Sequence, residues 1–451
     1  MARTLNMTNG KPMRLLFSFA LPLMFGNMFQ QLYTVVDTAI VGQGVGMIAL
    51  AALGAVDWLN WMMLGIAQGF TQGFCIRMSQ KFGAQDIDGL KQTLGTSILL
   101  TAILAVVGTL IAQLGLPLFL RLMQVPDYLV SSATIYSRII MGGFTAVCFF
   151  NLCSSTLRAV GDSKTPLIAM VAAAITNIVL DVIAVFILHW GIAGAAAATV
   201  FSQFLSGALC AVKIAKTPEL KFRRHHLCLD LPMAGDLMRI GIPAATKNII
   251  IAAGGMVVQT VVNSFDSMSF IAGFTATNKL YGLLEIAALS YGYAVTTYVG
   301  QNYGAGLIPR IRSGVRAANI LALSSSLVIA VVMLLFGRPI TMLFISRDDL
   351  QLAMEAGETA YRYLSLMSVS LPILYILYVY MSALQGMGNT IAPMWSAAFE
   401  LVVRLSVAFA VAQIGIRNGI FWAEVGAWYG GGATQALFYF LQMRKIKKQI
   451  K

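Results

Sequence analysis

The chain has 451 residues, is 58% apolar and only 11% charged, and its mean hydropathy is +0.78. A water-soluble fold of this size cannot bury so much apolar surface, so the bilayer is its solvent. The formal charge of +13 does not mark a nucleic-acid partner, because the basic residues are dispersed through the polar joints between apolar runs.

Apolar runs of about 18 to 28 residues, each long enough to cross a hydrocarbon layer about 30 Å thick, fall at 15–42, 47–74, 91–115, 128–155, 164–188, 191–213, 235–262, 270–298, 312–336, 354–383, 391–414 and 420–443. A β-barrel would alternate apolar and polar residues over segments of about ten, and 98–111 and 321–336 do not. The expected fold class is therefore an all-α integral membrane protein with twelve transmembrane helices. The first run follows Arg3, Lys11 and Arg14 like a signal peptide, but its length and its Gln30, Gln31 and Asp37 keep it as a span. Most Lys and Arg residues lie at the amino terminus, in alternate joints and at 444–451. Those parts are then cytoplasmic, which puts both termini inside and makes the chain a multi-pass protein of the cell (inner) membrane. Cys75, Cys148, Cys153, Cys210 and Cys228 show no metal spacing and read as small apolar filler.

The chain repeats. An offset of 221 residues places Pro22 on Pro243, Asn27 on Asn248, Gln80 on Gln301 and Gly83 on Gly304, and the phrases SQKFGAQD and GQNYGAG match. An offset of 227 aligns Leu157, Gly161 and Pro166 with Leu384, Gly388 and Pro393, and one of 232 aligns Gly194 and Gln203 with Gly426 and Gln435. Six spans per half is an even number, so the halves are expected as two six-helix lobes related by a pseudo-two-fold axis along the membrane normal. The boundaries are 1–213 for the amino-terminal lobe, 214–234 for a basic cytoplasmic linker, and 235–451 for the carboxyl-terminal lobe and basic tail. The linker, with Lys216, Lys221, Arg223, Arg224, His225 and His226, reads as a topology signal that touches anionic lipid.

A charge in mid-span costs roughly 2.5 to 3.5 kcal/mol, so each needs a reason. Counted along their helices, Asp37, Asp181 and Thr199 fall in one layer about 8 to 12 Å below the outer surface. Asn177 lies one turn before Asp181, and Gln30 two turns before Asp37. One pocket then holds two carboxylates with amide and hydroxyl partners, a set suited to either H⁺ or Na⁺. The bland alternative, hydrogen-bonding glue between helices, does not need a net charge. Pro22 within the first span permits a bend and is a candidate hinge for the helix that carries Asp37.

The other half offers Glu285 after Lys279, and Glu400 with Arg404 one turn on. Glu400 and Arg404 read as a self-neutralising pair. Glu285 either pairs with Lys279 or forms an anionic wall for cationic substrates. Asp348 and Asp349 beside Arg347 read as a solvated loop and helix cap. In GDSKTP (161–166) and GNTIAP (388–393) glycine makes a turn, Ser163 or Thr390 caps, and proline sits in the first helical turn.

LPLMFGNMFQQLYTVVDTAIVG at 21–42, LRAVGDSKTP at 157–166 and NIVLDVIAVFILHWGIAGAAAATVFSQ at 177–203 are similar to the pattern of the multidrug and toxic compound extrusion (MATE) transporters, and the likeness runs along the whole chain. The resemblance implies a secondary active transporter, not an enzyme, that exports bulky, often cationic organic compounds by antiport against H⁺ or Na⁺ with alternating access. It implies no cofactor and a monomer in membrane lipid. It assigns the ion site to Asp37, Asn177, Asp181 and Thr199, which would also be the metal ligands if the ion is Na⁺, with Gln30, Tyr136 and Asn151 as cavity neighbours and Glu285 as a further cavity residue. Asn151 lies about 15 residues, or roughly 22 Å, beyond Tyr136 along one helix. The seventh span has Gln259 and Asn263 where some relatives are acidic. The rival in the same superfamily, a lipid-linked oligosaccharide flippase, typically needs a basic cavity, whereas the mid-span charges here are mainly acidic. An intramembrane enzyme would need clustered metal-binding acids, a Ser with a base, or HExxH; His189, His225 and His226 lie at joints.

Overall fold

The computed structural model describes residues 4–123, 125–222, 226–265, 267–345 and 350–450. Among them twelve long helical rods and no strands occur. In chain order these are α1 (Pro12–Gly44), α2 (Met47–Gly83), α3 (Ile87–Leu122), a fourth rod made of α4 (Asp127–Gly142) and α5 (Phe144–Ala159), α6 (Lys164–Val182), α7 (Gly191–Lys216), α8 (Leu231–Asn263), α9 (Met268–Gly304), α10 (Ile308–Thr341), α11 (Leu350–Gly386), α12 (Ile391–Ile414) and α13 (Phe421–Ile450). Eight rods among the described residues qualify as spans by length and apolar composition, and bent pairs in the second and fourth rods bring the number to ten. The remaining two, α9 and α13, have 37 and 30 residues, ample length at 1.5 Å per residue. Polar residues such as Lys279, Glu285, Glu424 and Gln435 dilute their apolar character. Leu114, Leu118 and Leu122 on α3 and Val328, Leu335 and Phe336 on α10 are exposed, as lipid-facing side chains must be.

The helices outrun the apolar windows. The second run ends at 74, yet α2 continues to Gly83, because backbone hydrogen bonding carries on into the polar joint. Two spans are also interrupted. The fourth bends by 41° between α4 and α5, where the Gly142–Gly143 pair permits the kink. In the fifth rod α6 passes into a π-helical turn, Ile183–Ile187, two residues after Asp181. Its Leu188 N–H donates to the Ile183 carbonyl at 2.9 Å, one residue wider than an α-turn.

Gly161 and Gly388 have φ of +87° and +86°, so the repeated turn needs glycine at both places. The caps differ from expectation. Ser163 and Thr390 make no side-chain cap bond. Asp162 accepts from Lys164 N–H at 3.1 Å, Thr165 N–H at 3.0 Å and the Thr165 hydroxyl at 2.7 Å, and Asn389 accepts from Ala392 N–H at 3.1 Å. The residue just after glycine has the reach to cap; the next one is already turned into the helix. At the α2–α3 joint Asp86 accepts from Gly89 N–H at 2.9 Å and from Lys81 at 2.7 Å, and the lysine holds its carboxyl below the usual carboxylate range.

The chain divides into two compact units. The first comprises 1–8, 21–248 and 300–306, the second 9–20, 249–299 and 307–451. In the first, one apolar cluster gathers Phe74, Met78, Leu94, Cys153, Leu157 and Cys210, and another gathers Val41, Ala52, Leu116, Tyr136 and Val185. Four cysteines are buried and Cys228 is exposed. Part of the linker lies on α3, where the Gln92 amide donates to Asp230 at 2.7 Å. In the second unit the core is aromatic, with Phe270, Phe421, Tyr363 and Phe274 stacked at centroid distances of 5.7, 4.7 and 4.9 Å. Arg223, Arg224 and His225 of the linker, and Arg347, Asp348 and Asp349, lie outside the described residues.

A candidate cation site

Four elements of the first unit deliver the polar groups. Helix α1 carries Gln30, Tyr33 and Asp37 on one stripe, α6 carries Asn177 and Asp181 one turn apart, and α7 carries Thr199, Ser202, Gln203 and Ser206. Tyr136 comes from α4. Gly26 lets α1 approach α6, since a Cβ there would stand 3.2 Å from Met170 and 3.6 Å from the Leu167 backbone.

Asp181 is 0% exposed, Asn177 1% and Asp37 8%. The two carboxyls act directly on each other, and both tyrosines, Tyr33 and Tyr136, feel the charge of each. Gln30 and Gln203 stand beside the Tyr33 hydroxyl. The Asn177 amide donates to the Thr199 hydroxyl at 3.5 Å, and that hydroxyl donates to the Ala195 carbonyl at 3.1 Å. This leaves acceptors without donors: both oxygens of Asp181, Oδ1 of Asp37, Oδ1 of Asn177 and Oγ of Ser202 have no hydrogen-bond partner among the described residues. Buried acceptors that face one another are stable only around a proton or a cation. Beside them lies a small cavity of about 20 Å³ bordered by Gln30, Tyr33, Asn177, Thr199 and Gln203. No group of three or more His, Cys, Asp or Glu able to hold a metal occurs among the described residues, so the donor set here is two carboxylates with amide and hydroxyl oxygens, the hard oxygen ligands that suit an alkali cation or a shared proton.

Of the residues singled out from sequence, Asp37, Asp181, Asn177, Thr199, Gln30 and Tyr136 come together. Asn151 does not join the acids: it is buried in α5, past the kink, and its amide donates to the Val147 carbonyl at 2.9 Å. Glu285 belongs to the second unit, where it accepts from the Tyr378 hydroxyl. The ion pairs also place Arg404 otherwise than expected. Its Nε and Nη2 donate to Glu424 at 2.9 and 2.8 Å; Glu424 reaches it from the neighbouring α13, while Glu400 acts on it from the same helix. Tyr33 was not singled out in the sequence and Gln203 served only as a marker of the repeat, although each stands four residues from a candidate site residue, Asp37 and Thr199. Pro22 lies inside the unbroken α1.

A polytopic helical bundle with a buried acid pair beside a cavity has the architecture of a membrane transporter. The family model MatE matches residues 22–183 and 243–410, and the chain belongs to that family. The probable multidrug resistance protein YpnP of Bacillus subtilis (strain 168) is 28% identical over 349 residues, 76% of each chain. The probable multidrug resistance protein NorM of Thermotoga maritima is 25% identical over 446 residues, 96% of this chain and 93% of that one. The crystal structure of a MATE in complex with MaL6 superposes with a TM-score of 0.92 at 22% identity, covering 99% of this chain and 100% of that one. The fold is that of these transporters, with twelve transmembrane helices in two lobes.

Proposed function

We propose that the chain is a multidrug exporter that moves bulky, often cationic organic compounds out of the cell by antiport against H⁺ or Na⁺ with alternating access. The observation that carries the reading is the facing pair Asp37 and Asp181 with their donorless oxygens. Asn177 and Thr199 serve as further oxygen ligands, and Gln30, Tyr33, Tyr136 and Gln203 line the approach. An ion that compensates the acid pair stabilises one conformation, and its release to the other side permits the return. The family and the names of its relatives support organic substrates. The lobes are 1–213 and 235–451, joined by the basic linker 214–234; the chain works as a monomer, with both termini cytoplasmic in the inner membrane, and Pro22 is the hinge of α1. Proteoliposomes with an imposed pH or Na⁺ gradient, applied separately, test the reading through dye efflux. Asp37→Asn and Asp181→Asn are each expected to abolish gradient-driven efflux with membrane insertion intact. Wild-type efflux by either variant contradicts the assignment.

A further inference from the structure

The repeat allows the first unit's site to be laid on the second unit. With the offset of 227, the buried positions Ala173, Asn177 and Asp181 of α6 fall on Glu400, Arg404 and Ala408 of α12, and these are buried too. With the offset of 221, Tyr33 and Asp37 of α1 fall on Gly254 and Val258 of α8. Both acids have therefore gone, replaced by Val258 and Ala408. A guanidinium stands where the amide of Asn177 stands, and the space of the Tyr33 ring is open to it: a Cβ on Gly254 would sit 3.0 Å from Arg404 Cδ and 3.2 Å from Nη1. Glycine at 254 makes room for the longer side chain.

The second unit nevertheless brings two carboxylates to this point from other positions, Glu400 buried and Glu424 partly buried. Glu424 of α13 takes the guanidinium in a two-pronged ion pair and also accepts from the Trp428 indole at 3.1 Å. Glu400, one turn before Arg404, adds a second negative charge, and its Oε1 fills the space that a Cβ on Gly431 would need, Gly431 being the equivalent of Thr199 under the offset of 232. Tyr281 from α9 and Tyr363 from α11 face the pair. Arg404 itself is 3% exposed. Each unit thus holds two carboxylates at its own version of one site. The first carries no protein cation there, and the second carries one that cannot leave.

We propose that Arg404 is a tethered internal cation, permanently occupying in the second unit the place that an exchangeable H⁺ or Na⁺ takes in the first, so that ion coupling is confined to Asp37 and Asp181. The inference rests on reading the first unit's acid pair as an ion site. Removal of the guanidinium should convert the second site into one that binds an ion from solution.

The test uses the full-length protein in detergent, with thermal unfolding followed against Na⁺ at fixed ionic strength and against pH. Asp37→Asn is expected to lose the wild-type cation dependence. Adding Arg404→Gln to it should restore a saturable dependence on Na⁺ or pH, and adding Glu424→Gln as well should remove it again. An Asp37→Asn/Arg404→Gln protein that melts with no more cation dependence than Asp37→Asn overturns the proposal. Persistence of the wild-type dependence in Asp37→Asn contradicts the first-unit reading instead, and Arg404→Gln alone then reads the second site against wild type. If the glutamine variants fail to fold, Arg404→Ala purified with methylguanidinium replaces them. Saturable stabilisation by that cation, absent with methylurea and absent in Arg404→Ala/Glu424→Gln, supports the proposal, and no stabilisation by methylguanidinium overturns it.

Discussion

The two units solve one electrostatic problem in opposite ways. In the first, Asp37 and Asp181 meet with oxygens that have no hydrogen-bond partner among the described residues, and the proposed function has an ion from outside compensate them. In the second, Arg404 brings its charge on its own helix and is clamped by Glu424. The frame around the two sites is shared: Gly161 and Gly388 make the same left-handed turn, and the buried stripe of α6 recurs on α12 at equivalent positions. Packing and turn chemistry have been kept while charge has been redistributed. A repeat can therefore preserve a scaffold and still assign ion exchange to one copy.

Breaking the first site should have the largest effect, the loss of gradient-driven efflux in Asp37→Asn or Asp181→Asn. Breaking the second should act on stability instead. Arg404→Leu or Glu424→Leu alone leaves a buried charge without its partner and is expected to cost about 3–5 kcal/mol, whereas the double leucine variant should recover most of that loss. Thermal unfolding in detergent measures the cycle, and additive losses would show that the ion pair is not what holds these side chains.

Glu285 sharpens the contrast further, because its carboxylate, bound by the Tyr378 hydroxyl, is an acid of the second unit that Arg404 does not clamp. Glu285→Gln is expected to lower transport of cationic substrates about tenfold, equivalent to about 1.4 kcal/mol, and to leave neutral substrates nearly unchanged. Equal losses for the two classes in a transport assay would remove it from substrate recognition. The smallest effects belong to the shared frame. Asp162→Ala should cost about 1–2 kcal/mol and Asn389→Ala about 1 kcal/mol, against under about 0.5 kcal/mol for Ser163→Ala, since the first two residues cap and serine does not. Melting temperatures of the three variants rank them.

The helical fold, its twelve spans and the meeting of Asp37 with Asp181 and Asn177 were legible in the sequence, because they depend on hydrophobic run length and on positions along single helices. Features that depend on neighbouring helices were not. Glu424 lies 20 residues from Arg404 in the chain and meets it only because α12 and α13 pack side by side; local spacing favoured Glu400. The kink between α4 and α5, which follows from the Gly142–Gly143 pair inside an otherwise apolar run, was hidden by hydropathy, as was the π-helical turn after Asp181. Serine seemed the natural cap in GDSKTP on residue type, yet backbone direction after Gly161 gives the cap to Asp162.

The proposed assignment, one exchangeable cation in the first unit and none in the second, has a direct electrical consequence. A membrane potential contributes about 2.3 kcal/mol per charge moved per 100 mV, about a 50-fold gradient. Exchange of one H⁺ or Na⁺ for one monovalent organic cation moves no net charge, whereas exchange for a neutral compound moves one. The decisive measurement is efflux from proteoliposomes with the potential clamped by valinomycin and K⁺ while the pH and Na⁺ gradients are held fixed. Efflux of the monovalent cation is expected to follow the ion's chemical gradient and stay nearly flat with voltage, and efflux of the neutral compound to respond to both. A strong voltage dependence for the monovalent cation would contradict a single exchangeable ion and return the second unit to the coupling mechanism.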